Sequence, residues 1–318
     1  MSAALQLNDR AKRLADHLAS LASQHRVEVT TTPAGARLID CGLQARGGLQ
    51  AGLSLARICL AGLGDVSLTP GEIAGLPLPL VQVVTDWPVA ACMASQYAGW
   101  QISLGKYFAM GSGPMRAAAG REELFEKIGW RENPAVAVGT LESRKLPGDE
   151  VIASISERTR VPADKITLLV APAASPAGTL QVVARSIETA LHKLYELGFD
   201  LQEVVSGHGT APFPPVGNDE IKAIGWTNDA ILYGGRVTLW VKSDDARIAE
   251  IGPQVPSSAS ADHGAPFAAI FNRYDRDFYK IDPMLFSPAE IVICNLTSGR
   301  LHHFGRVEPE ILRKSFTG

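Results

Sequence analysis

The chain has 318 residues, 46% of them apolar and 20% charged, which is ample for a buried core and predicts two domains or one elaborate α/β domain. A formal charge of -3 with no lysine or arginine cluster interleaved with aromatics argues against nucleic acid as a partner. Cys41, Cys59, Cys92 and Cys294 form no CxxC pair, the apolar runs are short and broken by glycine or proline, and the first ten residues lack the pattern of a secretory signal, so neither a zinc knuckle nor a membrane span is expected and the expected compartment is a reducing cytoplasm.

From residue 5 to 23, Leu5, Leu7, Ala11, Leu14, Ala15, Leu18 and Leu21 recur at helical spacing and predict an amphipathic opening helix. Residues 27–31 and 36–40 read as strands joined by hairpin punctuation at Pro33 to Gly35. Gly47 and Gly48 precede a small-residue helix over 49–60, stopped by Gly62 and Gly64. Residues 80–85 form a strand ending at Asp86-Trp87-Pro88, and 90–102 look partly helical. Met110-Gly-Ser-Gly-Pro-Met-Arg116 is too glycine-dense for regular structure. Its backbone could approach a ligand, with Arg116 as counter-ion near the start of a helix over 117–128, or it is a tight turn with an exposed arginine. It is neither a P-loop nor a dinucleotide fingerprint.

Residues 135–139 and 166–171 are short β runs on either side of a helix near 150–158. The second run leads through a turn at Pro176 and Gly178 into a helix. Val183, Ile187, Ala190, Leu194 and Leu197 fall in one apolar sector, while Gln181, Arg185, Glu188 and His192 line the opposite side. That stripe is either solvated surface, where an i, i+3 pair such as Arg185 and Glu188 contributes little, or the wall of a polar cleft; spacing alone favours the surface. Gly48-Leu49-Gln50 and Thr179-Leu180-Gln181 open comparable helices after a strand and a glycine turn. As an internal duplication they predict two similar α/β halves divided near residues 147–161, with a ligand cleft between them.

Residues 202–206 read as a strand, and Ser206-Gly-His-Gly209 through Pro215 as a rigid loop. Ser206 and His208 are nucleophile and base types, but nothing fixes them within reach of each other and no third group is evident, which argues against a serine hydrolase. Thr227, Asn228 and Asp229 are read as a turn before a strand at 231–233, where they either close an Asx turn or read the edge of a heterocycle. Residues 236–242 and 289–295 are further strands and 255–264 a polar loop. Asp275, Asp277 and Asp282 lack the glutamate of a calcium loop and are interrupted by Phe278 and Tyr279, so no metal is expected there.

Spacing stops at an α/β protein with polar, glycine-rich loops. The segments Gln96-Tyr-Ala-Gly-Trp100, Met110-Gly-Ser-Gly-Pro114, Leu141-Glu142 with Lys145-Leu-Pro147, Ala184-Arg-Ser-Ile-Glu188 with Leu191-His-Lys193, Thr227-Asn-Asp-Ala230 and Leu285-Phe-Ser-Pro-Ala289, in this order, resemble the methenyltetrahydromethanopterin cyclohydrolases. The resemblance runs from about Asp40 to the last residues. It implies two similar α/β domains side by side, expected over 1–150 and 151–318 with some exchange of segments, and an active-site cleft between them. It also implies a homotrimer and reversible hydrolysis of the methenyl bridge of a tetrahydropterin carrier to the N5-formyl form, without metal or redox cofactor.

The family's arginine and glutamate at the reacting carbon correspond to Arg185 and Glu188, which reverses the preference for a surface stripe. Glu188 is expected to act as general acid and base on water and N10, with Arg185 orienting it and opposing the pKa rise of burial. The substrate-binding candidates are Gln96, Ser112, Gly113, Arg116, Gln181, Thr227, Asn228 and Asp229, the last because a guanidine-like pterin edge prefers a carboxylate. His192 and the stretch 257–264 are weaker candidates. A non-catalytic carrier-binding protein of the same fold, and an amidohydrolase using Ser206 or a cysteine, are the competing readings. The modest charge content lacks the Lys/Glu loading of hyperthermophiles and favours a mesophilic source in which hydrolysis serves formaldehyde oxidation.

Overall fold

A computed structural model describes residues 5–73, 75–277 and 280–317. Helix α1 (Leu7–Ser20) buries Leu7, Ala11, Ala15 and Leu18, the stripe its spacing predicts. A hairpin of β1 (Glu28–Thr31) and β2 (Arg37–Asp40) leads to α2 (Leu49–Cys59), and a second hairpin joins β3 (Asp65–Thr69) to β4 (Leu80–Thr85). The chain then widens into a π-type helical segment, Val89–Gln96, closed by a bond from the Tyr97 N–H to the Cys92 carbonyl at 2.8 Å. There follow β5 (Trp100–Leu104), β6 (Tyr107–Ser112), the short α3 (Met115–Ala119) and α4 (Glu123–Lys127), and β7 (Ala137–Ser143). Next come α5 (Asp149–Thr159), β8 (Ile166–Ala171), α6 (Pro176–Val183), α7 (Ser186–Glu196) and β9 (Val204–Pro212). The remainder is α8 (Glu220–Leu232), β10 (Arg236–Val241), α9 (Asp245–Ile251), α10 (Phe267–Arg273), β11 (Glu290–Asn295), β12 (Leu301–Gly305) and α11 (Pro309–Thr317). No helix among the described residues is long and apolar enough to cross a membrane.

The fold is mixed α/β, built as two compact units that each hold one six-stranded sheet. Unit 1 comprises Met1–Gly64 and Ala90–Gln181, with strand order β1-β2-β8-β7-β6-β5. Unit 2 comprises Asp65–Val89 and Val182–Gly318, with order β12-β11-β10-β9-β4-β3. The units are therefore not consecutive halves of the chain. The β3–β4 hairpin joins the later unit because β4 pairs along its whole length with β9, from Leu80 opposite Pro212 to Thr85 opposite Gly207. A strand's own pattern shows that it has a buried face, not which distant edge it completes.

In unit 1 the parallel pairs β2–β8 and β7–β8 make β8 a central strand. It is buried along its whole length, as a strand covered on both faces must be. Leu168 and Val170 pack in one apolar cluster with Val151, Ile152 and Ile155 of α5. Leu169 and Ala171 pack in the other with Ala11, Ala15, Leu55 and Ile58 of α1 and α2. The suspected duplication has a different meaning from two matching halves. β2 with α2 and β8 with α6 are neighbouring βα units of a single sheet, and α2 crosses α6 so closely that a Cβ on Gly52 would lie 3.0 Å from both Ala177 Cα and Leu180 Cβ. The similar sequences reflect the same local task, a turn after a buried strand followed by a small-residue helix.

In unit 2 the buried positions of β10 and β11 alternate, as do those in the middle of β9, with Gly207, Gly209, Val237, Leu239, Ile291 and Ile293 inward. Ser206, His208, Thr210, Thr238, Trp240, Val292 and Cys294 occupy the other, half-buried face. Three local expectations are corrected here. Ser206 to Gly209 is the middle of β9 and not a loop, because in-register pairing with β4 and β10 holds the two glycines extended. Thr227, Asn228 and Asp229 lie inside α8, capped by Asp219, whose carboxylate accepts the Lys222 N–H at 3.0 Å. Met110 to Ser112 ends β6, so only Gly113 and Pro114 turn before α3.

Candidate active site

The polar stripe that spacing places on one helix is carried by two. α6 stops at Val183, and Arg185, with φ -95° and ψ 10°, donates its N–H to the Val182 carbonyl at 3.1 Å in a tight turn. α7 starts immediately after it. Arg185 is thereby the N-cap residue and Glu188 lies in the first turn, where unsatisfied N–H groups and the positive end of the helix dipole favour a carboxylate in its charged form. Arg185 is 7% exposed and Glu188 5%. Two such residues are buried in the same turn only when compensated, and both side chains are engaged in interactions.

The seat of this turn is β9. A Cβ on Gly209 would come within 2.4 Å of Ser186 Oγ and 2.9 Å of Ile187 Cγ1, and one on Gly207 within 3.0 Å of Ile187 Cγ2. Only hydrogen at these two inward positions lets the start of α7 lie this close to the sheet. Ile187, Ala190, Leu191 and Leu194 then bury the rest of the helix face. Sequence reasoning took Gly207 and Gly209 as loop punctuation; the overlooked signal was their alternation, period two, with the polar Ser206, His208 and Thr210.

Farther along α7, His192 Nε2 lies 3.5 Å from Glu196 Oε1, and burial pushes the imidazole below its ordinary pKa. Lys193, outside every set of site candidates, is 1% exposed and donates to the Met284 carbonyl. Burial pulls its ammonium down to about 8, against the opposing pull of Asp282. Gln181, on α6, is 4% exposed and belongs to unit 1.

Within unit 1 the structure brings Gln96, Ser112, Gly113 and Arg116 to one neighbourhood. Ser112 Oγ and Thr140 Oγ1 are 2.6 Å apart, with Cys59 Sγ 3.4 and 3.3 Å from them. Gly113 has φ +87° and donates its N–H to the Ser95 carbonyl at 2.9 Å, next to Gln96 at the end of the π-type segment. Arg116 is neither exposed nor open-handed. Its Nη2 and Nε donate to the Glu122 carboxylate at 2.5 and 3.1 Å, its Nη1 donates to the Met93 carbonyl at 3.2 Å, and its guanidinium lies 4.7 Å from the Tyr97 ring centroid.

Within unit 2 the α8 candidates mostly serve the helix itself. Thr227 Oγ1 donates to the Ala223 carbonyl and Asn228 Nδ2 to that of Ile224, each at 2.8 Å. Asp229 is fully buried. It accepts the Phe267 N–H at 2.7 Å and the Ser315 hydroxyl at 2.5 Å, so its carboxylate joins α8 to α10 and α11. Burial pushes its pKa up to about 7 despite those two bonds. Ser206 Oγ donates to Asp86 Oδ1 at 2.7 Å, and this bond to a carboxylate is not the serine–imidazole bond that a hydrolase triad requires. None of the four cysteines is in a disulfide. No group of three or more histidine, cysteine, aspartate or glutamate side chains gathers as a metal site among the described residues. Asp282 is engaged by Ser260 Oγ at 2.6 Å and the Met284 N–H at 3.0 Å, while Phe278 and Tyr279 lie outside the described residues.

Residues 6–316 match the protein family described as Cyclohydrolase (MCH). A methenyltetrahydromethanopterin cyclohydrolase of Rhodopirellula baltica is 49% identical over 290 residues, covering 90% of this chain and 87% of its own. Proteins of the same name from a Methylobacterium species and from Methanosphaerula palustris are 47% and 44% identical, each covering 98% of this chain and 97% and 99% of their own.

Proposed function

The chain belongs to the methenyltetrahydromethanopterin cyclohydrolase family, and we propose that it hydrolyses the methenyl bridge of a tetrahydromethanopterin-type carrier, with Glu188 as the proton-transfer group and Arg185 as its partner. The observation that carries this reading is the burial of both side chains in the first turn of α7, after the break at Ala184 and Arg185. A glutamate with no chemical task would gain more from solvent at that position.

The bridge carbon lies between two nitrogens that share one positive charge, so it is electrophilic from the start. The remaining difficulty is to deliver water and move protons. Glu188 accepts a proton from the attacking water as the C–O bond forms, giving a neutral tetrahedral adduct. It returns that proton to N10 as the C–N10 bond breaks. The adduct's hydroxyl proton leaves as the formyl C=O forms at N5, so the cation and one water give the neutral formyl carrier and one proton. Such general acid–base help is worth about 10²–10⁴-fold. Arg185 shares the substrate's charge sign, so its role is to orient the carboxylate and hold it ionised before attack. The helix N-terminus works in the same direction.

The pterin-binding candidates carried forward are Gln96, Ser112, Gly113 and Gln181, while Thr227 and Asn228 bond to the backbone of their own helix. Arg116 and Asp229 act at one remove, since the groups they would offer already hold Glu122 in one case and Phe267 and Ser315 in the other. Hydrolysis is the working direction, serving formaldehyde oxidation without a metal or redox cofactor. The assembly is a homotrimer, a reading supported by the open face of the unit 2 sheet, where Val84 is 42% and Leu301 65% exposed. The test of activity is the loss of methenyl-carrier absorbance on mixing with the purified protein. Binding without that loss would make the protein a carrier-binding member of the family.

A further inference from the structure

The π-type segment Val89–Gln96 does not satisfy its own last carbonyls. The Tyr97 N–H closes the final wide turn on the Cys92 carbonyl. Beyond it, the Met93 carbonyl accepts from Arg116 Nη1 at 3.2 Å and the Ser95 carbonyl from the Gly113 N–H at 2.9 Å. Both donors belong to the corner between β6 and α3. The two segments that carry the pterin-binding candidates Gln96, Ser112 and Gly113 are thus joined to each other at two carbonyls. The corner is held in turn by α1, whose Asn8 Nδ2 donates to the Pro114 carbonyl at 2.9 Å, and the segment by α2, whose Cys59 carbonyl accepts the Ser95 hydroxyl at 2.6 Å.

Arg116 is arranged for this bond and not for a ligand. It is 0% exposed, so its charge must be compensated in place. Glu122 takes Nε and Nη2, and the rings of Tyr97 and Phe125 lie 4.7 and 5.3 Å from the guanidinium carbon. A planar group fixed along one edge and by aromatic rings has little freedom left, and Nη1 is aimed at Met93. Lysine would also neutralise Glu122 but lacks the second arm. Turns of the π type are rare and gather at functional sites, and here the bonds that fix the end of the segment come from outside it.

We infer that Arg116 is a positioning residue for substrate binding: its Nη1 bond to the Met93 carbonyl ties the π-type segment to the corner after β6 and so holds Gln96, Ser112 and Gly113 in one arrangement for the pterin. This rests on the assignment of those three residues as pterin contacts. Arg185 and Glu188 belong to unit 2, so the loss should fall on binding more than on the chemical step. The test compares wild type, Arg116→Lys and Gly99→Ala by carrier affinity, steady-state kinetics, amide hydrogen exchange and urea midpoint. Gly99→Ala keeps every side chain named here, yet its Cβ would lie 2.5 Å from Glu122 Oε2 and 2.6 Å from Tyr97 Cε1. It displaces the groups that aim the guanidinium from an exposed position, and it serves if Arg116→Lys folds poorly. In Arg116→Lys, Kd and KM for the methenyl carrier should rise about tenfold or more with kcat within about threefold. The Tyr97 and Gly113 amides should exchange about tenfold or more faster while those of β8 keep their protection. Gly99→Ala should show the same pattern in weaker form. A lowered urea midpoint with wild-type Kd, KM and exchange would mean packing only and would overturn the inference, as would faster exchange with unchanged affinity. Wild-type protein that binds the carrier without hydrolysing it would defeat the reaction proposed above and leave the Kd comparison to decide this inference.

Discussion

The geometry of β9 makes Gly209→Ala the most informative structural perturbation. The added methyl would sit 2.4 Å from Ser186 Oγ, 2.9 Å from Ile187 Cγ1 and 3.3 Å from Ser186 Cβ. Rotating the serine hydroxyl relieves the first contact only; the others belong to the body of the first turn of α7. Restoring an ordinary separation moves that turn by roughly 0.5–1 Å, with an overpacking cost of about 1–3 kcal/mol. Glu188 travels with the turn. A misplacement near 1 Å costs up to about 10²-fold in rate, so kcat should fall by about 10- to 100-fold while the denaturation midpoint drops only modestly. Gly207→Ala, whose Cβ meets Ile187 Cγ2 at 3.0 Å, should show the same effects in weaker form. The assay is the initial rate of methenyl-carrier absorbance loss beside a urea melt. A Gly209→Ala protein with wild-type kcat and a lowered midpoint would refute the link between this seat and catalysis.

Further predictions address the charges. Arg185→Lys should keep more turnover than Arg185→Ala, measured as kcat/KM, because a cation beside Glu188 survives only in the first. The raised pKa of Asp229, about 7 against an ordinary 3.8, means that the folded state holds a proton the unfolded chain releases. Its contribution is fully present below about pH 4 and is lost as pH rises through about 7. Asp229→Asn should therefore flatten the decline of the urea midpoint between pH 5 and pH 8, and parallel declines in both proteins would contradict the assignment. Glu122→Gln leaves the guanidinium of Arg116, which is 0% exposed, without its counter-charge. It should cost up to about 3 kcal/mol in equilibrium unfolding.

Local periodicity made much of the fold legible. α1, α5, β8 and β11 follow from apolar patterns that their burial repeats, and the first hairpin from its turn punctuation, since β1 is exposed throughout. Tertiary context decided the rest. The 220–232 stretch carries Gly225 and Thr227 yet is helical, because the cap at Asp219 and burial against α10 and α11 outweigh propensity. The break at Arg185 has no glycine or proline to announce it. The β3–β4 hairpin could not be placed with unit 2 from its own residues, since its partner is β9, more than a hundred positions away. For the site, recognisable segments pointed to Arg185 and Glu188, and the burial of both accords with the roles proposed for them. Asp229 reads as a ligand residue because a guanidine-like pterin edge prefers a carboxylate; on α8 that carboxylate instead accepts the Phe267 N–H and the Ser315 hydroxyl.

The most direct measurement is single-turnover absorbance of the methenyl carrier with Glu188→Gln, alongside its binding affinity. The substitution keeps size and hydrogen-bonding capacity and removes the basic oxygen. We predict a folded protein that still binds the carrier and loses about 10²-fold or more of the hydrolysis rate. Hydrolysis within a few-fold of wild type would remove Glu188 from proton transfer and with it the proposed chemistry.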